Sequence, residues 1–431
     1  MKNTLTFTRS ILASTASKID VDSFDKSIEA FEKKEFLDSF YLLLNYINPT
    51  FKSQYGNAEG TEFNVPHGSI VVNIKIEDNQ LRISAPFISL PTKGKIPLLR
   101  HVAVINFSHL NLAQIVLRDE KLYFEYVCPM DLIEPYKIYY VLEDICFVGD
   151  KYDDEFVTKF GAERIYQPKI TPYETTLVDT IYDEIQLSCN ECMEAIKEFE
   201  SQRKYGYEWN IISFTILKML YYAHPQGQLL NDLNKAVREL DRDDIPLSDI
   251  NEVGKKMVER LQSMSKEELA ANLYFTETFI PPKRRSVLKN VQENFNEAFE
   301  KAGKDFASND YMTCCVRLIY EFYRLYHYNN VQDDINAVVV NAMGKSSAKP
   351  WEEAAKILLP AMEKIMEGEL TLDDVEESAD NETDDSSAQN AMAEYMKAMQ
   401  QTMGNVNMEE LAKNMQEAMN AMIGNNNQSK K

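Results

Sequence analysis

Apolar residues change period twice along the first third of this chain. From about residue 23 to 48 they recur at helical spacing, with Phe24, Ile28 and Phe31 on one face. Phe36, Phe40, Leu43, Leu44 and Ile47 continue on the next. That spacing predicts two helices, the second stopped by Pro49. The period then falls to two. Ile70, Val72, Ile74 and Ile76 alternate with Val71, Asn73 and Lys75, and beyond a turn at Glu77–Gln80 the alternation resumes at Leu81, Ile83 and Ala85. This is the pattern of a hairpin with one buried face. A helix is expected from about Pro97 to Leu110. A second hairpin follows, Gln114–Leu117 with Leu122, Phe124 and Tyr126 about a turn at Asp119-Glu120, and a helix from about Pro135 to Phe160 closes the unit. The order predicts an α+β fold over residues 20–168, an antiparallel sheet with helices packed on it.

Helical period dominates from 169 to 370. It predicts an all-α domain with helices near 176–202, 208–223, 227–240, 248–263, 284–308, 309–328 and 351–367. Phe295, Ala298, Phe299, Gly303, Asp310-Tyr311, Leu318 and Tyr323 resemble a tetratricopeptide helix pair. Ala30-Phe31-Glu32-Lys33 returns as Ala298-Phe299-Glu300-Lys301, but two distant echoes do not make a tandem array. The aromatic cluster Tyr320, Phe322, Tyr323, Tyr326 and Tyr328 reads as core, with Tyr320 or Tyr328 able to line a groove.

The tail changes character. Residues 371–387 are expected to form an acidic disordered linker, since Asp373, Asp374, Glu376, Glu377, Asp380, Glu382, Asp384 and Asp385 carry eight charges with no base among them. Residues 388–424 hold eight of the eighteen methionines. Met392, Met396, Met399 and Met403 fall on one face of a helix, and Met408, Leu411, Met415, Met419 and Met422 on one face of a second. Methionine is unbranched and polarizable, so such faces adapt to varied partners. Helices this short must bury their stripes on something: a client, the protein's own body or a second copy, or a lipid surface. The flanks, 1–19 and 425–431, are expected to be flexible.

Composition narrows the partners. A formal charge of −22 argues against nucleic acid and anionic membrane. Lys283-Arg284-Arg285 reads as a solvated loop or helix start. No apolar run reaches eighteen residues, the first eighteen residues lack a signal-peptide core, and six scattered cysteines show no disulfide framework. A cytoplasmic protein is expected.

Motifs for chemistry do not assemble. Gly344-Lys345-Ser346 follows an apolar run, but a phosphate loop needs a glycine where Val339 stands, so a helix stop at Gly344 is expected instead. Cys189 and Cys192 have the spacing of a redox or zinc pair but sit inside a helical run, and Cys314-Cys315 cannot readily complete a tetrahedral site. The five histidines form no ligand pattern, and no nucleophile elbow or dinucleotide loop occurs.

The element order of residues 20–165 is similar to that of the type III secretion chaperone-like fold, in particular its YbjN-like family. Leu90-Pro91 at the end of the first hairpin, Ile105-Asn106 within the following helix, and Leu117-Arg118-Asp119-Glu120-Lys121-Leu122 carry the likeness. Such proteins are often dimeric and hold partner proteins without chemistry. The expectation is therefore a non-enzymatic adaptor or chaperone-like protein with no catalytic, metal or cofactor residues. Its partner is a protein client or an assembly component, and a homodimer is one form open to it. The partner-binding residues would be Met392, Met396, Met399, Met403, Leu411, Met415, Met419 and Met422. The alternative is a structural subunit of a bacterial secretion or other assembly. An enzyme with an unrecognised site ranks last.

Overall fold

A computed structural model describes residues 2–12, 20–281 and 283–370. The fold is α+β, as its periodicity implied. Helices α1 (Val21–Glu32), α2 (Phe36–Ile47) and α3 (Phe51–Tyr55) lead into strands β1 (Glu62–His67), β2 (Ile70–Glu77) and β3 (Gln80–Ser89). Then come α4 (Lys95–Ser108), β4 (Gln114–Arg118), β5 (Lys121–Pro129), α5 (Pro135–Phe160) and the two-residue β6 (Glu163–Arg164). The sheet runs β1-β2-β3-β5-β4 with antiparallel neighbours, and β6 adds to β3.

Register follows the alternation. Phe63 opposes Ile74, Ile74 opposes Ile83, and Ala85 opposes Phe124, all buried on one face. A one-residue slip would turn that set to solvent. The β2–β3 and β4–β5 hairpins each close through two residues with positive φ, Asp78-Asn79 and Asp119-Glu120. This twisted turn matches the strands, and Asn and Asp tolerate it. Helix α5 covers the inner face, where Phe156 meets Phe87 at 5.6 Å. The outer face carries Lys75, Arg82 and Glu125 and stays wet.

The helical unit contains α6 (Thr175–Ser201), α7 (Tyr205–Ala223), α8 (Gly227–Leu240), α9 (Leu247–Ser263) and α10 (Lys266–Ala270). It continues through α11 (Leu288–Ala307), α12 (Tyr311–Tyr328), α13 (Asp333–Ser346) and α14 (Trp351–Glu367). Short strands join it: β7 (Ile170–Pro172) with β8 (Tyr274–Thr276), and β9 (Arg284–Arg285) with β10 (Asn329–Asn330). Every residue of α7 from Ile211 to Ala223 is buried, which makes it the central helix.

Three expectations change. Residues 2–12 are not free. They thread between α6, α7 and the turn before α14, with Thr4 N–H donating to Lys349 O at 2.9 Å and Ile11 buried. Lys218 explains much of this. It is a nearly buried cation on α7 that donates to Thr6 O, Glu184 Oε1 and Ser188 Oγ at 2.9, 2.6 and 2.9 Å. Gly344 does not stop a helix, because α13 continues to Ser346. Lys283 is not a solvated loop residue. Its ammonium donates to Tyr326 O at 2.7 Å, and burial pushes its pKa down to about 8.

The two units also share a core. Phe279 and Ile280, reached after β8, pack into the sheet unit, with Phe279 5.0 Å from Phe51. His67 Nδ1 accepts from the N–H groups of Phe279 and Ile280 at 2.9 and 3.4 Å. Burial holds this imidazole neutral, its pKa lowered to about 4.

Candidate functional site

Helix α4 is apolar on both sides, and only one side is used. Leu98, Val102 and Ile105 are buried toward the sheet. Ile96, Val104 and Phe107 point to solvent, at 66%, 55% and 91% exposure. At 100° per residue, these three with the exposed Ala103 and Arg100 fall within an arc of about 100°. Leu112, beyond the helix in the turn before β4, is also exposed. Single exposed apolar residues are ordinary on protein surfaces, whereas a continuous stripe marks an interaction site.

The helix is clamped along the edge strand β4. At one end Lys95 pairs with Glu120 in the hairpin turn. At the other, the Asn106 amide donates to Ile115 O at 2.9 Å and accepts from Ile115 N–H at 2.7 Å. In a two-residue hairpin, Arg118 and Lys121 form the bonded pair next to the turn. Leu117 and Ile115 therefore turn their backbone groups away from β5. Asn106 occupies the outward groups of Ile115 as a further strand would. This blunts the edge at its middle and fixes α4 rigidly beneath its exposed stripe. His109 adds a bond through Nε2 to Tyr152 OH at 3.0 Å, and His101 Nδ1 lies 3.7 Å from Glu155.

A second feature is a polar cleft of about 690 Å³ between α5 and α8. Asp150, Asp153 and Asp154 line it from α5, and Asp232, Lys235 and Arg238 line it from α8. Arg164 pairs with both Asp153 and Asp154. The Asp150 carboxyl is pushed up to about 7, first by burial and then by Asp153, against the Ser69 N–H that donates to it. It still touches the water of the cleft, which tempers the effect. A carboxyl that holds its proton more tightly when folded than unfolded costs stability once it ionises. Asp150→Asn, which keeps the acceptor oxygen, is expected to raise the melting temperature at pH 8 and leave it nearly unchanged at pH 3, below the unfolded-state carboxyl value of about 3.9. Melting curves at the two pH values check this.

Among the described residues, no group of His, Cys, Asp or Glu side chains is placed to hold a metal. All six cysteines are buried free thiols. Burial raises Cys189 and Cys192 to about 12, which places them as small apolar core residues. Of the aromatic cluster, Phe322, Tyr323 and Tyr326 are core, while Tyr320 and Tyr328 line surface grooves. The expected partner-binding residues Met392, Met396, Met399, Met403, Leu411, Met415, Met419 and Met422 lie outside the described residues. The α4 stripe carried no signal of its own. A helix with apolar residues on two faces gives no hint of which one a sheet will take; Ile96, Val104 and Phe107, all off the buried set by periodicity, are the residues that could have suggested a second face.

No helix among the described residues is long and apolar enough to cross a membrane. No protein-family model matches the chain, and no curated protein matches it as a relative.

Proposed function

We propose that this chain is a non-enzymatic protein-binding adaptor of the secretion-chaperone-like, YbjN-like kind, acting in the cytoplasm. The sheet unit docks an apolar segment of a partner protein on the outer face of α4, and the helical unit with its Met-rich tail supplies a second contact. One observation carries the reading: Ile96, Val104 and Phe107 form an exposed apolar stripe on a helix that Asn106 and Lys95 clamp in place. Rigid presentation lowers the entropic cost of binding. The element order of residues 20–165 supports the family likeness.

Burying a Phe107-sized side chain contributes on the order of 1.5–3 kcal/mol. Phe107→Asp is therefore expected to weaken partner binding more than about tenfold. Because the side chain is almost fully exposed, melting should shift little. The check is titration of the purified partner against wild-type and variant chains by calorimetry. Unchanged affinity would remove α4 from the interface.

A further inference from the structure

The chain as a whole is strongly acidic, yet one groove on the helical unit is not. It has a volume of about 790 Å³ and lies among the start of α7, the middle of α11 and the length of α12. Five cations line it, Arg203, Lys204, Lys301, Arg317 and Arg324, against two carboxylates, Glu297 and Glu321. Lys301 pairs with Glu297, Arg324 with Glu321 at 3.3 Å, and Arg317 with Asp305 at 3.1 Å. Arg203 and Lys204 have no carboxylate partner among the described residues. The floor is aromatic: Trp209 and Tyr320 lie 5.1 Å apart, the indole held by its N–H donating to Leu240 O at 2.9 Å. A cationic groove with an apolar floor suits an acidic peptide carrying a few apolar residues.

Such a peptide begins a few residues from this groove, on the same chain. Helix α14 ends at Gly368, and Gln292 of α11 donates to Ile365 O and Met366 O at 3.1 and 3.0 Å. The last turn of α14 is therefore fastened beside the first turns of α11. From Gln292 to Lys301 is about 14 Å along that helix at 1.5 Å per residue. Residues 371–385 follow directly and can span up to about 50 Å when extended. They hold eight carboxylates, with Leu372 just before the first and Val375 among them.

We infer that the acidic segment Asp373–Asp385 docks in this cationic groove of its own chain, with its carboxylates on Arg203, Lys204, Lys301 and Arg324. Docking holds the root of the Met-rich tail against α11 and screens the groove from acidic segments of other proteins. This inference is independent of the docking of a partner on α4.

Zero-length carbodiimide cross-linking of the full chain tests it, with the bridged peptides mapped by mass spectrometry. A 1:1 mixture of ¹⁵N-labelled and unlabelled protein separates bridges within a chain from bridges between chains. The expected result is same-isotope bridges from Lys204 and Lys301 to residues 373–385. They should fall more than about tenfold at 1 M salt, where the screening length shrinks to about 3 Å. Arg203→Glu with Arg324→Glu should reduce the Lys301 bridges as strongly while leaving circular dichroism unchanged. If the variant misfolds, the salt series on the wild-type chain decides. Bridges no more frequent than those of Lys256, an exposed lysine on α9, would overturn the inference. So would mixed-isotope bridges alone, which would place the segment on a second copy.

Discussion

Lys218→Ala is expected to lower the stability of the helical unit by about 3–5 kcal/mol, the range for removing one partner of a buried ion pair. The ammonium is almost fully enclosed and serves three acceptors, Glu184, Ser188 and the carbonyl of Thr6. Removing it strands the Glu184 carboxylate in a low-dielectric site. It also frees the segment that Thr4, Thr6 and Phe7 otherwise fix against Lys349, Glu191 and Ser347. Urea unfolding reads the loss. The companion variant Lys218→Met with Glu184→Gln removes both charges and should recover most of it, because the cost lies in the orphaned carboxylate. A single variant as stable as wild type would show that this buried cation does not hold the N-terminal segment.

Phe279→Ala should cost a similar amount, about 3–5 kcal/mol, as large-to-small changes at buried aromatic positions do. Its ring fills a space against Phe51 in the sheet unit although it belongs by sequence to the helical unit. The variant should therefore loosen both units together. Hydrogen exchange would show faster opening of α3 and β1 as well as of the 277–281 segment. Faster exchange confined to residues 277–281 would mean that the units fold independently and the shared core is incidental. The same plug bears on a boundary at residue 168. A fragment 20–168 lacks Phe279 and the two N–H donors to His67, so it should melt below the intact chain.

How much of this was legible depended on whether neighbours in sequence are neighbours in space. The strands β2, β3 and β5 were, because one sheet face is buried and the other wet, which writes a period of two. The helix expected at 227–240 has those bounds in α8, where Leu229, Leu233, Ala236, Val237 and Leu240 mark one face. Strand β1 was not legible, because its buried set is only Phe63, Val65 and the polar His67, with Pro66 among them. Pro66 is tolerable because β1 is an edge strand. Helix α13 was legible only through its end, which Gly344 places two residues early because glycine resembles a stop. A Cβ there would meet nothing within 4 Å, so glycine is not required and the helix runs through. The N-terminal segment carried a faint signal in Leu5 and Phe7 alternating with threonines. The Phe279 plug carried none, since nothing local distinguishes a loop aromatic that crosses between units. The α4 site belongs with these. Its clamp is the Asn106 amide at one end and the Lys95–Glu120 pair at the other, and its exposed stripe becomes a site only once the sheet has claimed the opposite face.

The most direct measurement is site-specific photo-cross-linking. A benzophenone amino acid placed at 107 on α4, and at the exposed Leu187 on α6 as a control, is irradiated in the native host and the adducts are identified by mass. The account predicts a defined adduct with another protein from position 107, absent from position 187 and lost when Ile96 and Val104 are changed to Asp. No adduct at 107, or adducts only with a second copy of this chain, would contradict it.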